Sequence, residues 1–245
     1  MNQTTIPDDP NGLETLQKLA AAPLINKWLF DAISPYCSGK ILEVGSGIGN
    51  LSFYLLKNFS NITLSDFRNK YCDILKIKYG NCANLNSVVE MDLSLYNFKE
   101  IYLYSSKKYD TIIALNVLEH IKKDALAIRN CRELLAPNGK LVLLVPAYQF
   151  LYNTLDKNLD HYKRYNKTNL SQLVNAEGLQ VVEAKYFNFI GIFGWWFTGK
   201  LLKKTQIPNY QLKIFNKFIP VFRIIDMLVF NKAGLSVIVI CKKID

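Results

Sequence analysis

Histidine is scarce in this chain, with two in 245 residues, His120 and His161. Chemistry that runs through an imidazole is therefore confined to those two positions. Cysteine is thin as well: Cys37, Cys72, Cys82, Cys131 and Cys241 form no C-x-x-C pair and no Cys/His cluster. Such spacing excludes a disulfide framework, offers no metal site and predicts free thiols in a reducing compartment. Long apolar runs are missing too. The longest uncharged run in the C-terminal part, Tyr186 to Gly199, falls short of the ~20 apolar residues a bilayer-spanning helix needs. The N-terminus, MNQTTIPDDPNG, has no basic stretch leading into an apolar one. It does not read as a signal peptide, and a cytoplasmic location is the expectation.

What is present is an ordinary globular composition, 50% hydrophobic and 20% charged, with an uneven charge balance. Thirty Lys and Arg against twenty Asp and Glu leave a formal net charge of +10. Unless the surface is merely basic, that points to an anionic partner: a phospholipid surface, a phosphorylated substrate or a nucleic acid.

Leu13 to Ile33 carries apolar residues at helical intervals, interrupted at Pro23, behind a flexible lead-in of about a dozen residues. From Lys40 the pattern alternates. Short apolar runs (Lys40–Val44, Asn61–Ser65, Ser87–Met91, Asp110–Leu115 and Lys140–Val145) are separated by amphipathic segments that read as helices. Strands alternating with helices of this length predict an α/β fold, a doubly wound parallel sheet covered on both faces. Gly45, Asp66, Asp92 and Asn116 fall at or just after strand C-terminal ends, the edge where ligands bind in such sheets. APNGK (Ala136–Lys140) reads as a turn that closes a helix and starts the fifth strand. Asn166–Leu179 reads as a helix capped by Asn166 or Thr168, and Leu179–Phe187 and Leu235–Lys243 as two further strands.

The most informative stretch is Ile41-Leu42-Glu43-Val44-Gly45-Ser46-Gly47-Ile48-Gly49-Asn50. A strand runs through three alternate glycines toward a helix, so the backbone can turn sharply and offer its amide groups to a ligand. A dinucleotide fingerprint would place its third glycine at Asn50 instead of Gly49. Glu43 suits a ligand carrying an amino group better than a pyrophosphate. Asp66 stands where a carboxylate can accept ribose hydroxyls, with helix capping as its alternative role. Asp92 could accept from an adenine amino group while Met91 or Leu93 packs on the ring, with the same alternative.

LEVGSGIGN, LSD, EMD, YDTIIALNVLEHI and LLAPNGKLVLLVP, in that order, resemble the motif series of class I S-adenosylmethionine (SAM)-dependent methyltransferases over roughly Lys40 to Pro146. The resemblance implies a Rossmann-like sheet of about seven strands, mostly parallel, with Leu235–Lys243 as its antiparallel last strand. It implies SAM as cofactor, with Glu43 and the turn of Gly45, Ser46, Gly47 and Gly49 by its methionine part. Asp66 and the adjoining Phe67 would lie at the ribose, Met91, Asp92 and Leu93 at the adenine, and Asn116 near the methionine. The corresponding division of the chain is a helical lead-in over 1–39 and a methyltransferase domain over 40–245, carrying a hydrophobic and basic helical insertion at 188–234.

On the acceptor side, a SAM-dependent enzyme must align the acceptor with an already activated methyl and, where needed, remove a proton. No metal is required by that chemistry. His120, His161 and Tyr165 are the candidate catalytic residues. His120 sits in an LEH that is common across the family whatever the substrate, so a structural role competes. His161 and Tyr165 lie in DHYKRY (Asp160–Tyr165), whose other reading is a solvated basic loop. The insertion mixes aromatics with lysine: nine Lys and Arg from Lys200 onward stand against two aspartates. It reads as an interfacial membrane segment, or as a lid or dimer helix with its apolar face buried. The expectation is methyl transfer, by preference to oxygen, on a small or lipid-linked acceptor. The alternatives are an RNA methyltransferase and a non-catalytic SAM-binding protein at a membrane surface. The Asn/Asp-Pro-Pro-aromatic motif of adenine amino-group methylation is missing, which counts against RNA. Glycine spacing disfavours a nicotinamide oxidoreductase.

Overall fold

The computed structural model describes residues 9–102 and 108–244. Most of the expected flexible lead-in lies outside them, and its last residues already belong to a helix. The strands are β1 (Ile41–Val44), β2 (Ile62–Asp66), β3 (Leu85–Glu90), β4 (Tyr109–Leu115), β5 (Leu135–Pro146), β6 (Leu179–Phe187) and β7 (Ser236–Lys243). They form one sheet in the order β3-β2-β1-β4-β5-β7-β6. The first five pair in parallel, and β7 runs antiparallel to both β5 and β6. The architecture is the seven-stranded Rossmann-like one that the motif order implies.

Alternation along the strands divides the core in two, because successive side chains point to opposite faces. Leu42, Val44, Ile112, Ala114, Leu141 and Leu143 pack on one side with Ala127, Ile128 and Cys131 of α6 (Asp124–Leu134) and Leu170 and Val174 of α8 (Lys167–Ala176). On the other side Ile41, Ile113, Val142 and Leu144 meet Phe30 and Ile33 of α2 (Pro23–Ile33), Leu55 of α3 (Ser52–Asn58) and Leu75 of α4 (Asn69–Tyr79). Each fully buried Leu or Ile contributes roughly 1.5–3 kcal/mol. Two covered faces explain why β1 and β5 read as continuous apolar runs.

Three details refine the sequence expectations. The first helical stretch is two helices, α1 (Pro10–Ala20) and α2, because Pro23 cannot continue a helix but suits the first turn of the next. Asn166, not Thr168, caps α8, accepting from the Asn169 amide at 2.8 Å. APNGK does not precede the fifth strand but lies within it, with Asn138 at φ +61° where the pairing with β4 shifts register. α5 (Phe98–Tyr102) precedes β4, and the short α7 (Thr154–Asn158) follows β5. The insertion holds α9 (Gly191–Trp195), a π-helical turn over Trp196–Leu201, and α10 (Asn209–Leu228). No helix among the described residues is long and apolar enough to cross a membrane.

Candidate active site

The strand order reverses between β1 and β4, and the loops leaving those two strands open the crevice where open α/β sheets bind ligands. Gly45, Gly47 and Gly49 follow β1 with φ of +70°, +53° and +82°. Only glycine occupies that region freely. A Cβ on Gly45 would stand 2.4 Å from Val117 Cγ2, so the turn has no room for a side chain there. Asn116, after β4, is also left-handed at φ +53° and exposed, its amide donating to the Leu144 carbonyl at 2.8 Å. A left-handed asparagine at a strand end is a strained conformation of the sort found at ligand sites.

The acidic residues meet around this turn. Asp66 Oδ2 accepts from the Gly47 amide at 2.9 Å, and Oδ1 from the Arg68 amide at 3.0 Å. Burial raises its pKa, against the two amide bonds that lower it. Glu43 lies under the turn, accepts from the Ser52 hydroxyl at the start of α3, and is pushed by burial up to about 7. Ser46 is buried, its amide bonded to the Ser65 carbonyl at 2.9 Å and its hydroxyl directed back to the Glu43 carbonyl. Its side chain therefore braces β1 against β2. Asp92 Oδ1 accepts from the Ser94 amide at 2.7 Å, closing a local turn rather than capping a helix. Met91 and Leu93 are buried in the core beside it. Phe67 is exposed beneath the Arg68 guanidinium, 4.1 Å from its ring centre.

Sequence reasoning missed that α1 covers this site. Leu16 reaches within 2.9 Å of where a Gly47 Cβ would stand, and its carbonyl accepts from Asn50 Nδ2 at 2.8 Å. Asp9, capping α1, accepts from the Tyr71 hydroxyl at 3.1 Å and lies 3.5 Å from Arg68.

The second centre joins the two histidines. Their rings meet edge to face at 84° with centroids 4.7 Å apart. The loop carrying His161 is tied to the turn after β4 by the Tyr162 amide, which donates to the Glu119 carbonyl at 2.8 Å. His161 Nδ1 lies 2.9 Å from Asp156 Oδ1, and the same oxygen accepts from Arg164 Nε at 2.8 Å. Trp195 of the insertion donates from Nε1 to Asp156 Oδ2 at 3.3 Å and stacks under the Arg164 guanidinium. Burial raises the Asp156 pKa, but the His161 bond and the Arg164 charge outweigh it and hold the carboxylate ionised. An ionised acceptor at Nδ1 favours the ring proton on that nitrogen in a neutral imidazole. His120 is exposed. Desolvation and the His161 and Arg68 charges push it down to about 4.

Asp156, Trp195 and Glu119 are partners that the sequence did not single out. Glu119 is fully buried, neither carboxylate oxygen has a hydrogen-bond partner among the described residues, and burial pushes it up to about 7. Glu119, His120 and His161 offer ligating atoms within 4.8 Å of one another, a grouping that no spacing in the chain signals. Tyr165 is buried, donating to Asp124 Oδ2 at 2.9 Å, and its pKa is driven far above the ordinary range by burial and the Asp124 charge. That bond braces the start of α6.

A turn with no space for a Cβ at Gly45, carboxylates at the end of β2 and just after β3, and a strand-order reversal beside them fit a nucleoside-bearing methyl donor. Comparison with known proteins agrees. A family profile described as "Methyltransferase domain" matches residues 16–184. The chain belongs to this family, the class I SAM-dependent methyltransferases, and its cofactor is S-adenosyl-L-methionine. It is 26% identical over 155 residues to a ubiquinone biosynthesis O-methyltransferase of Xanthomonas euvesicatoria, across 58% of this chain and 63% of that protein's length. It is also 26% identical over 200 residues to one from Xanthomonas oryzae, across 68% of this chain and 80% of that protein. Among solved structures, the N-methyltransferase NodS of Bradyrhizobium japonicum, in complex with S-adenosyl-L-homocysteine, shares the fold at a TM-score of 0.55 with 14% identity. That match covers 98% of this chain and 94% of NodS.

Proposed function

We propose that the protein methylates an oxygen of a small, hydrophobic or lipid-linked acceptor, with His161 as the general base. The observation that carries the reading is the 2.9 Å contact between His161 Nδ1 and Asp156, which supports a ring oriented with Nε2 free to act as a base. The O-methyltransferase names of the relatives from Xanthomonas support oxygen as the atom methylated.

The donor supplies a methyl already activated on a sulfonium. In the proposed arrangement Asp66 accepts the ribose hydroxyls, Asp92 the adenine amino group, and Glu43 stands near the amino-acid end, beneath the turn of Gly45, Gly47 and Gly49. Asn116 lines the methionine side. Asp66 now bonds the Gly47 amide, and its remaining lone pairs can take the ribose without breaking that bond. At the acceptor, His161 Nε2 takes the hydroxyl proton as oxygen attacks. Asp156 keeps the ring in place and stabilises the imidazolium, as the orienting carboxylate does in other His-based sites. α1 excludes water from the turn. Five free thiols fit the expected cytoplasmic location.

The test has two parts. Calorimetry with SAM and S-adenosylhomocysteine should show micromolar binding that Asp66→Ala removes. Methyl-labelled SAM should then label a component of a bacterial lipid extract, and His161→Ala should abolish the labelling. Label appearing in RNA instead, or bound SAM with no product in any fraction, would overturn the proposal.

A further inference from the structure

α10 is amphipathic, but its apolar stripe faces outward. Its inner side is anchored by Ile219 and by the buried Asp226, whose carboxylate accepts from the Asn188 and Phe189 amides at 2.7 Å each. Asn216 and Arg223 fasten it to α2. Asn216 Oδ1 accepts from the Leu24 amide at 2.9 Å, and Arg223 lies 2.8 Å from Asp31. The opposite side carries Tyr210, Ile214, Phe218, Val221, Ile224 and Leu228, spaced by three or four residues into one line along the helix. All six are exposed, between 47% and 70%. The stripe continues onto the preceding turn, where Trp196, Phe197 and Leu201 are exposed. That turn is joined to α10 by the Thr198 hydroxyl donating to Gln211 at 2.9 Å.

Charge distinguishes the occupants such a face could take. Between residues 188 and 234 there are seven Lys and Arg and one acidic residue, Asp226, which is buried. Lys213 and Lys217 lie on the same exposed side as the stripe, and Lys200, Lys203 and Lys204 surround its start. A second copy docking by a two-fold axis would bring lysine against lysine. An anionic bilayer satisfies both features, taking the apolar side chains below its headgroups and the ammonium groups among them.

We infer that the outward face of α10, with the Trp196–Leu201 turn, is a docking surface for an anionic lipid bilayer, in whose interface the helix lies without crossing it. Trp195, next in sequence to the exposed turn, bonds Asp156 at the candidate base, so docking would set the acceptor side next to the lipid. The surface stands on its own geometry, whichever acceptor is methylated.

The experiment is cosedimentation of the full chain with vesicles of phosphatidylcholine alone and with about 30% phosphatidylglycerol. Binding should be at least about tenfold tighter to the anionic vesicles and should weaken in high salt. The double variant Phe218→Asp/Ile224→Asp should lose at least about tenfold of that affinity while its melting temperature stays unchanged, because both side chains are exposed. Lys213→Glu/Lys217→Glu should weaken anionic binding alone. Failure of the wild type to bind anionic vesicles, equal affinity for the two vesicle types, or undiminished binding by the Asp variant would each overturn the proposal. A dimer in sedimentation velocity that the Asp variant dissociates, without vesicle binding, would assign the face to a second copy and overturn it too.

Discussion

His161 and Arg164 share one oxygen, Asp156 Oδ1, at 2.9 and 2.8 Å, so a single buried carboxylate orients the candidate base and neutralises the guanidinium behind it. If His161 takes the acceptor proton, His161→Ala should lower kcat by roughly 100-fold or more while the Kd for SAM changes by less than about twofold. Steady-state kinetics with calorimetry checks both. A variant retaining full kcat would remove His161 from the reaction.

Removing the carboxylate should do more damage to the fold. Asp156→Ala leaves Arg164, which is buried, without its counter-charge, and loss of one partner of such a pair costs about 3–5 kcal/mol. The Asp156 pKa is depressed, so its stabilising contribution is present above the unfolded carboxylate value and is lost as pH falls through the lower folded one. Denaturant titrations should therefore show the gap between wild type and variant closing below about pH 4. A gap that stays constant to strongly acidic pH would contradict this.

Much of this was legible in the chain. The glycines at 45, 47 and 49 and the carboxylates at 66 and 92 could be placed because strand ends in a parallel sheet are marked by local apolar runs and turn residues. Asp156 was not, because its meeting with His161 depends on α7 and on a loop whose path follows no repeat. The cover by α1 rests on contacts between Leu16 and Gly47 and between Asp9 and Arg68, separated too far in sequence for periodicity to register. The outward stripe of α10 shows the remaining limit. Spacing of 210, 214, 218, 221, 224 and 228 defines a face but not the direction in which it points.

Glu119 and Glu43 should make the unliganded protein less stable toward alkaline pH. Each is pushed up to about 7 from an ordinary 4.5. A raised carboxyl contributes stability that is fully present below its unfolded value and is lost as pH rises through the folded one. The loss is at most roughly 3 kcal/mol for each group. The melting temperature should thus fall between pH 5 and 8, and Glu119→Gln, neutral throughout, should flatten that fall. An equal slope in the variant would show that Glu119 is not the group responsible.

The turn after β1 is a test of close packing. At Gly45 the backbone is left-handed, and an added Cβ would meet Val117 at 2.4 Å. Gly45→Ala should destabilise the protein by about 1–3 kcal/mol and weaken SAM binding by an order of magnitude or more. Gly194, where the nearest atom to an added Cβ is 3.5 Å away, provides the control substitution, which should leave both unchanged.

Glu119, His120 and His161 could also seize a divalent cation, since their ligating atoms lie within 4.8 Å of one another and Zn²⁺ favours N and O donors of this kind. A cation bound there would consume the Nε2 lone pair that the proposed base needs. Micromolar Zn²⁺ should then inhibit, a chelator should restore activity, and His120→Gln should raise the half-inhibitory concentration by about tenfold or more. Chelator alone should leave the untreated enzyme unaffected. Should the chelator abolish activity and added Mg²⁺, Mn²⁺ or Zn²⁺ restore it, the three residues would be a working metal centre. His161 would then be a ligand, and proton removal would have to pass to another group.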